Sequence, residues 1–378
     1  MFNKWIKIIL LLVFVVLMVS ACSNIKSLPS REDIIPDFIV GFDGSEAKAI
    51  EDAGVRFKDL DGTEKPALQI MKDHGYTWFR IRIHVDPADG LDGNYGLFQD
   101  LEYVKAMTKE ADRLGMNILL NFHYSHEWAD PGRQTIPPRW QDKSVEELAE
   151  AVYEHTYETL AALKAQGTLP KIVQIGNETR GGMLWPYGKY WDEAAGGSWE
   201  NYIKFHNAGV KAVRDISEDI KIMVHNDQGG SWSAIDWFYS EFEKQGGEYD
   251  VIGLSYYAMW HGTFEDLTNT ITNAINKFAK DVYVVETAWY WDESDAGYNT
   301  SVVDYPTTPE GQYQFLYDLR KVVEKAGARG IFYWGSHWCQ SEKWLTAPDW
   351  KDDDASRRSL FDANAQATLG IKGLVLEE

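Results

Sequence analysis

Short apolar runs recur along this chain with helix-length segments between them, and that alternation restricts the fold more than any other feature. Candidate strands fall at 38–44, 77–85, 117–125, 172–178, 220–226, 250–257, 282–288 and 330–336. Between most of them lie stretches of helical period at 101–114, 144–166, 199–216, 235–244, 267–278 and 309–326. Strands that alternate with helices imply a parallel sheet, because parallel neighbours need a long crossover. Eight such units in roughly 330 residues fit a (β/α)8 TIM barrel, for which about 200 to over 400 residues is usual. A single catalytic domain over 38–378 is the simplest division. An open doubly wound sheet is the alternative. It usually carries a glycine-rich phosphate loop after its first strand, and Gly41-Phe42-Asp43-Gly44 is no such fingerprint.

Charge narrows the partners. Lys and Arg total 37 against 58 Asp and Glu, a net charge of −21, so a nucleic-acid partner is not expected. Two cysteines, Cys22 and Cys339, are too few for a disulfide framework. The N-terminus reads as an address. Lys4 and Lys7 precede the apolar run 8–19, which is short for a bilayer span of about 20 residues, and Val19-Ser20-Ala21-Cys22 is similar to a bacterial lipobox. The expectation is a signal peptide at 1–21, a lipidated Cys22 that anchors the chain to a membrane surface, and a polar tether over 22–37. That places the protein outside the cytoplasm, on the cell membrane or outer membrane.

In a barrel of this kind, chemistry sits at the C-terminal ends of strands. Those ends carry Asp43; Arg80, Arg82 and His84; His123, Tyr124 and Ser125; Asn177 and Glu178; His225, Asn226 and Asp227; Tyr256 and Tyr257; Glu286; and Trp334. Arg80, Arg82 and His84 alternate with Ile81, Ile83 and Val85, so all three polar side chains point inward. An inward arginine pair must be met by acids or ligand. Glu178 closes Ile-Val-Gln-Ile-Gly-Asn-Glu and Glu286 closes Val-Tyr-Val-Val-Glu-Thr. A charge ending an apolar strand has no packing reason to be there. Glu178 and Glu286 fall on the fourth and seventh candidate strands, across the barrel mouth. Carboxyls roughly 5 Å apart would serve retaining glycoside cleavage, one as acid/base and one as nucleophile.

Several ordered segments resemble family 53 glycoside hydrolases, the endo-β-1,4-galactanases. They include Arg-Ile-Arg-Ile-His-Val-Asp-Pro-Ala-Asp-Gly (80–90), Asn-Phe-His-Tyr-Ser-His-Glu-Trp-Ala-Asp-Pro-Gly (121–132) and Val-Gln-Ile-Gly-Asn-Glu-Thr-Arg-Gly-Gly-Met-Leu-Trp-Pro-Tyr-Gly (173–188). Gly-Leu-Ser-Tyr-Tyr (253–257), Val-Val-Glu-Thr (284–287), Phe-Tyr-Trp (332–334) and Leu-Phe-Asp (360–362) complete the set, which covers 38–362 in order. The resemblance implies a retaining double displacement on β-1,4-galactan or type I arabinogalactan, with Glu178 as acid/base and Glu286 as nucleophile. An inward arginine such as Arg82 and a hydroxyl from Tyr256 or Tyr257 would keep Glu286 ionised. Asn177 resembles the asparagine that grips the sugar 2-hydroxyl, and His123 is expected to pack beside the nucleophile. Trp128, Trp185, Trp260 and Trp334 are candidate stacking platforms; Asp130 and Asp227 are candidate hydroxyl acceptors.

The chain departs from the family in three places. His84 stands where a tryptophan is usual, and the loop 335–340 lacks Pro-Ala-Trp. Glu293, Asp295 and Asn299 keep the spacing of a calcium loop, but Gly297 takes the histidine position, so structural calcium and a solvated acidic loop both stand. No cofactor is expected for the chemistry, and a monomer is the expected form. Two alternatives remain open: a retaining endo-hydrolase of another β-linked glycan, such as mannan or β-1,3-galactan, and a surface glycan-binding lipoprotein without turnover.

Overall fold

Strands β1 (Ile39–Asp43), β2 (Trp78–Ile83), β3 (Asn117–Phe122) and β4 (Ile172–Ile175) are followed by β5 (Lys221–Asn226), β6 (Val251–Ser255), β7 (Asp281–Thr287) and β8 (Gly330–Tyr333). They pair in sequence order, every pair parallel, and β8 closes on β1. The chain is therefore a (β/α)8 barrel. The computed structural model describes residues 38–87, 99–293, 298–339 and 356–376. The expected signal peptide, Cys22 and its tether lie outside the described residues, as does Asp295. No helix among the described residues is long and apolar enough to cross a membrane.

The helices are α1 (Ala47–Asp52), α2 (Ala67–Asp73), α3 (Leu101–Arg113), α4 (Val145–Gln166) and α5 (Trp199–Ile216), then α6 (Trp232–Lys244), α7 (Ala258–His261), α8 (Phe264–Phe278) and α9 (Pro309–Lys325). Their ends follow local chemistry. Ser144 and Glu147 form a reciprocal capping box on α4, which stops at Gly167 with φ 87°. Thr263 and Asp266 cap α8 in the same way. The turns α1, α2 and α7 have no counterpart among the helical stretches expected from sequence; at four to seven residues they are too short to show a helical period.

Alternation along each strand separates two layers. Phe79, Ile81 and Ile83 of β2 face the helices, while Arg80 and Arg82 face the barrel interior, and all are buried. The interior tapers at Gly41, paired in register with Phe332, where an added Cβ would lie 2.3 Å from the ring. At the mouth the strands stop being regular. β4 ends at Ile175, earlier than the run through Glu178 suggests, because Gly176 (φ 78°) and Glu178 (φ 46°) both take left-handed backbone. Only a surrounding structure that over-determines it holds a non-glycine residue there. The β6–β7 register slips between Leu254 and Ser255, and the β7–β8 register slips between Val284 and Thr287. Both irregularities fall beside Glu286.

The C-terminal segment 356–376 is bound to the mouth by several bonds, among them Ser359 Oγ to the Ser336 carbonyl (3.0 Å) and a set centred on one side chain. Gln312 of α9 is fully buried. Its amide donates to the carbonyls of Trp289 (2.9 Å) and Ser359 (3.0 Å), and its Oε1 accepts from the Thr368 hydroxyl (2.8 Å). Gln312→Ala would remove these bonds and leave the buried Ser359 carbonyl without its side-chain donor, so it should cost about 2–3 kcal/mol of folding stability. Denaturant unfolding of both proteins checks this; an unchanged midpoint would refute it.

Candidate active site

An arginine is always charged, so burying one obliges the fold to bring acids to it. Arg80 is fully buried, and four side chains from three other parts of the barrel meet it. Nη1 donates to Asp43 Oδ2 at 2.9 Å. Nη2 pairs with Glu286 Oε1 at 2.8 Å and donates to Gln174 Oε1 (3.2 Å) and Asn177 Oδ1 (3.1 Å). The other oxygen of Asp43 accepts from the backbone N–H and hydroxyl of Ser45, at 3.1 and 2.7 Å. Arg82, one layer nearer the mouth, forms a close ion pair with buried Glu46 and lies 4.2 Å from the centre of the Trp128 ring.

The two glutamates at the strand ends have unlike partners. Glu286 takes a donor on each oxygen, Arg80 on Oε1 and the Tyr257 hydroxyl on Oε2 at 3.1 Å. Among the described residues Glu178 accepts from the Ser255 hydroxyl alone, on Oε1 at 2.6 Å. Ser255 also sits opposite Glu286 in the β6–β7 register, so it stands between the two acids. Behind it, His225 Nε2 lies 2.8 Å from the Ser255 oxygen. Because the serine proton is used on Glu178, that nitrogen carries the donor hydrogen. His225 Nδ1 then accepts from the Glu178 backbone N–H (3.4 Å) and from Gln174 (3.0 Å). The ring is neutral: burial and nearby Arg80 hold His225 well below the usual imidazole range.

Burial pushes both carboxyls up, but their neighbours act in opposite senses. On Glu178 the charges of Glu286 and Asp227 add to the desolvation, driving it well above the usual carboxylate range. On Glu286 the Arg80 guanidinium opposes the desolvation. Of the pair, Glu178 therefore holds the shared proton more tightly and Glu286 carries the charge first. Both line a cavity of about 400 Å³ together with Asp227 and Pro131. Tyr257, Trp260, His261 and Trp334 supply its aromatic wall. Arg358 completes it, 5.4–5.8 Å from the ring centres of Tyr257, Trp260, Tyr290 and Trp334.

Of the residues expected from sequence, Glu178, Glu286, Asp227, Trp260 and Trp334 meet in this cavity. Others are placed differently. Arg80 rather than Arg82 reaches Glu286. Tyr257 rather than Tyr256 does so, since the Tyr256 hydroxyl donates to the Gly262 carbonyl at 2.8 Å. Asp130 accepts from the N–H of Gly132 (2.8 Å) and so closes its own turn. Trp185 packs against Trp191 and Lys189, away from the cavity wall. Trp128 stacks on Trp338 at 5.8 Å, behind Trp334. His123 is buried between Asn121 (3.2 Å) and the Ala129 N–H (3.1 Å), rather than beside Glu286. The Asn177 oxygen accepts from Arg80, Asn121 and Gln174, and its amide donates to the Ala129 carbonyl, leaving one amide hydrogen unassigned among the described residues. Glu293 and Asn299 are exposed, and the Asn299 oxygen accepts from Ser301. Among the described residues no cluster of three His, Cys, Asp or Glu could hold a metal. Sequence reasoning missed Ser255 and Arg358. A small polar residue closing the apolar 251–254 run is the signal that marks Ser255; Arg358 has none.

Comparison with known proteins agrees with this geometry. The family profile described as Glycosyl hydrolase family 53 matches residues 39–374. The arabinogalactan endo-beta-1,4-galactanase of Thermothelomyces thermophilus is 32% identical over 309 residues, 79% of this chain and 89% of that protein. The endo-beta-1,4-galactanase of Bacillus subtilis is 31% identical over 317 residues, covering 81% of this chain and 72% of the relative. Among solved structures, the Ignisphaera aggregans GH53 catalytic domain superimposes with a TM-score of 0.81 at 34% identity, over 90% of this chain and 97% of that one.

The raised Glu178 carboxyl has a stability consequence of definite sign. As pH rises above the unfolded-state value near 4.5, the unfolded chain loses this proton while the folded chain keeps it, so stability falls with pH. Glu178→Gln has no such loss. Its melting temperature should gain on the wild type from pH 5 to pH 8, read by calorimetry at both; a constant difference would contradict the raised carboxyl.

Proposed function

The chain belongs to glycosyl hydrolase family 53, and from that premise we propose a retaining endo-hydrolase of the β-1,4-galactosidic bonds of galactan and type I arabinogalactan. One observation carries the mechanism: two carboxyls on one cavity, one held ionised by Arg80 and Tyr257, the other held neutral by burial and by its charged neighbours.

Glu286 attacks the anomeric carbon while Glu178 protonates the glycosidic oxygen, so the leaving chain departs as an alcohol and a glycosyl ester forms on Glu286. Water, deprotonated by Glu178, then attacks the same carbon, breaks the ester and regenerates both groups. Ser255 fixes which oxygen of Glu178 does this. Its hydroxyl occupies Oε1, so the carboxyl proton resides on Oε2. The switch from acid to base follows from the same electrostatics. Once Glu286 is esterified its negative charge is gone, and part of the push on Glu178 goes with it, so Glu178 stays ionised to receive the proton of water. We assign the remaining amide hydrogen of Asn177 to the sugar 2-hydroxyl, a role supported by its having no acceptor among the described residues. Trp260 and Trp334 offer apolar faces to pyranose rings. The described residues that line the cavity all come from one chain, which supports a monomer. The lipobox-like Cys22 supports anchoring to a membrane surface after removal of 1–21; radiolabelled palmitate incorporated by the wild type and absent from Cys22→Ser is the expected result.

Glu286→Ala should lower turnover on linear β-1,4-galactan by about 10⁴-fold, with partial rescue by azide. Reducing ends released from galactan, mannan and cellulose give the measurement, and no release from galactan by the wild type would overturn the substrate. Glu286→Gln should lower the Glu178 pKa relative to the wild type, because a neutral amide replaces the charge that raises it. Carbon NMR of labelled glutamate reads this shift; an unchanged value would break the division of labour.

A further inference from the structure

The loop after β4, which carries Glu178, goes on to build a second aromatic surface that the cavity does not use. Trp191 is 52% exposed, and Trp237 of α6 is 54% exposed. Between them lie Tyr190 and Trp199, stacked at 3.9 Å with an interplanar angle of 11°. Tyr190 meets Trp191 edge-on at 5.0 Å, and Trp237 lies 6.0 Å from Tyr190 and 6.2 Å from Trp199. The shelf is rigid at its base. A Cβ on Gly181 would lie 2.6 Å from the Trp191 ring, so that indole sits directly on the backbone three residues after Glu178. It is also joined to the cleft: the Tyr190 hydroxyl donates to the Arg180 carbonyl, and Arg180 Nε donates to cavity-lining Asp227 at 2.8 Å.

We propose that Trp191 and Trp237 bind a second stretch of the galactan strand outside the catalytic cavity, an inference that rests on the substrate reading above. Exposed indoles this large are costly in water and mark a binding surface. Two half-exposed rings offer on the order of 250 Å², well short of the about 800 Å² per partner that a stable protein interface buries, but enough for a few pyranose faces. The occupant is uncharged and polyhydroxylated. A protein of net charge −21 repels anionic polymers, whereas a neutral sugar face stacks on an indole. Lys189 adds a donor at the edge of the shelf, 5.8 Å from the Trp191 ring centre and paired with Asp192 at 3.6 Å. Its site next to the loop of the acid lets a polymer held there present bonds to the cavity repeatedly, an effective-concentration gain that short oligosaccharides do not feel.

The test uses the full chain. In native gels containing linear galactan, the inactive Glu286→Gln protein should be retarded, and adding Trp191→Ala with Trp237→Ala should reduce that retardation about tenfold. On the active background, the same double change should raise KM for polymeric galactan while kcat and KM for galactotetraose stay at wild-type values, which also shows that the double variant folds. Trp191→Phe with Trp237→Phe should restore most of the retardation. Undiminished retardation would overturn the proposal, as would an equal loss on galactotetraose, which would place the rings among the cavity's own subsites. A change in sedimentation from dimer to monomer would overturn it in favour of a contact between two copies. Failure of the substrate reading is seen separately, as a wild type that releases no reducing ends from galactan.

Discussion

Everything at the mouth of this barrel is arranged around one buried guanidinium. Arg80 cannot lose its charge, so the interior layer at its level has to be polar: Asp43 from β1, Gln174 from β4, Asn177 beyond β4 and Glu286 from β7 all converge on it. Such a network adds little net stability, because desolvating the ions offsets their attraction. What it contributes is position. Each partner is fixed relative to the others by bonds to the same flat group, so Glu286 and Asn177 are held in place before any ligand arrives. Removing the arginine would leave Asp43 and Glu286 buried and facing each other as like charges. The same network thus determines whether Glu286 is ionised.

The division between the two carboxyls is then a matter of how many donors each receives. Among the described residues Glu286 has two, one of them charged, and Glu178 has one neutral hydroxyl. Burial acts on both in the same direction, so it cannot separate their roles; Arg80 on one side and Asp227 on the other do. His225 serves this division indirectly. Kept neutral, it supports Ser255 and the Glu178 backbone N–H together, and so orients the acid without adding a positive charge that would ionise it.

Sequence made the barrel and the two acids legible, for physical reasons that also explain what it left out. Eight apolar runs with helices between them admit few topologies, and a glutamate ending such a run is conspicuous because burial penalises it. Alternation, however, gives the parity of a side chain and not its height in the barrel. Arg80 and Arg82 share parity, so pattern alone could not say which one reaches Glu286; the register that sets Arg80 beside Asp43 decides it. The choice between Tyr256 and Tyr257 depends likewise on a local slip of register beside Ser255, which leaves no mark in the hydrophobic pattern. Arg358 arrives from a segment without periodicity, held by Gln312 through bonds that span a large sequence separation. Trp185 and Asp130 both occupy loops after strands; Trp185 packs on its own loop, while Asp130 closes a turn with one oxygen and keeps its charge close enough to act on Glu178.

Charge in the mouth ties these observations to the kind of substrate it accepts. With Glu178 protonated, the negative groups around the cavity among the described residues include Asp43, Glu46, Asp130, Asp227 and Glu286, and the positive ones include Arg80, Arg82, Arg180 and Arg358. Charges of both signs offset one another there, inside a protein whose net charge is −21. An uncharged sugar enters such a cavity without disturbing that balance. Charge appears only as the glycosidic bond breaks, positive on the anomeric centre and negative on Glu178 as its proton leaves. In the proposed mechanism Glu286 lies where the positive charge grows, and Arg180, paired to Asp227 at the cavity wall, interacts electrostatically with Glu178 as that group becomes negative. The fixed dipoles and ions thus favour the separated charges of the transition state over the neutral ground state, which is the condition under which a preformed site accelerates a reaction rather than merely binding its substrate.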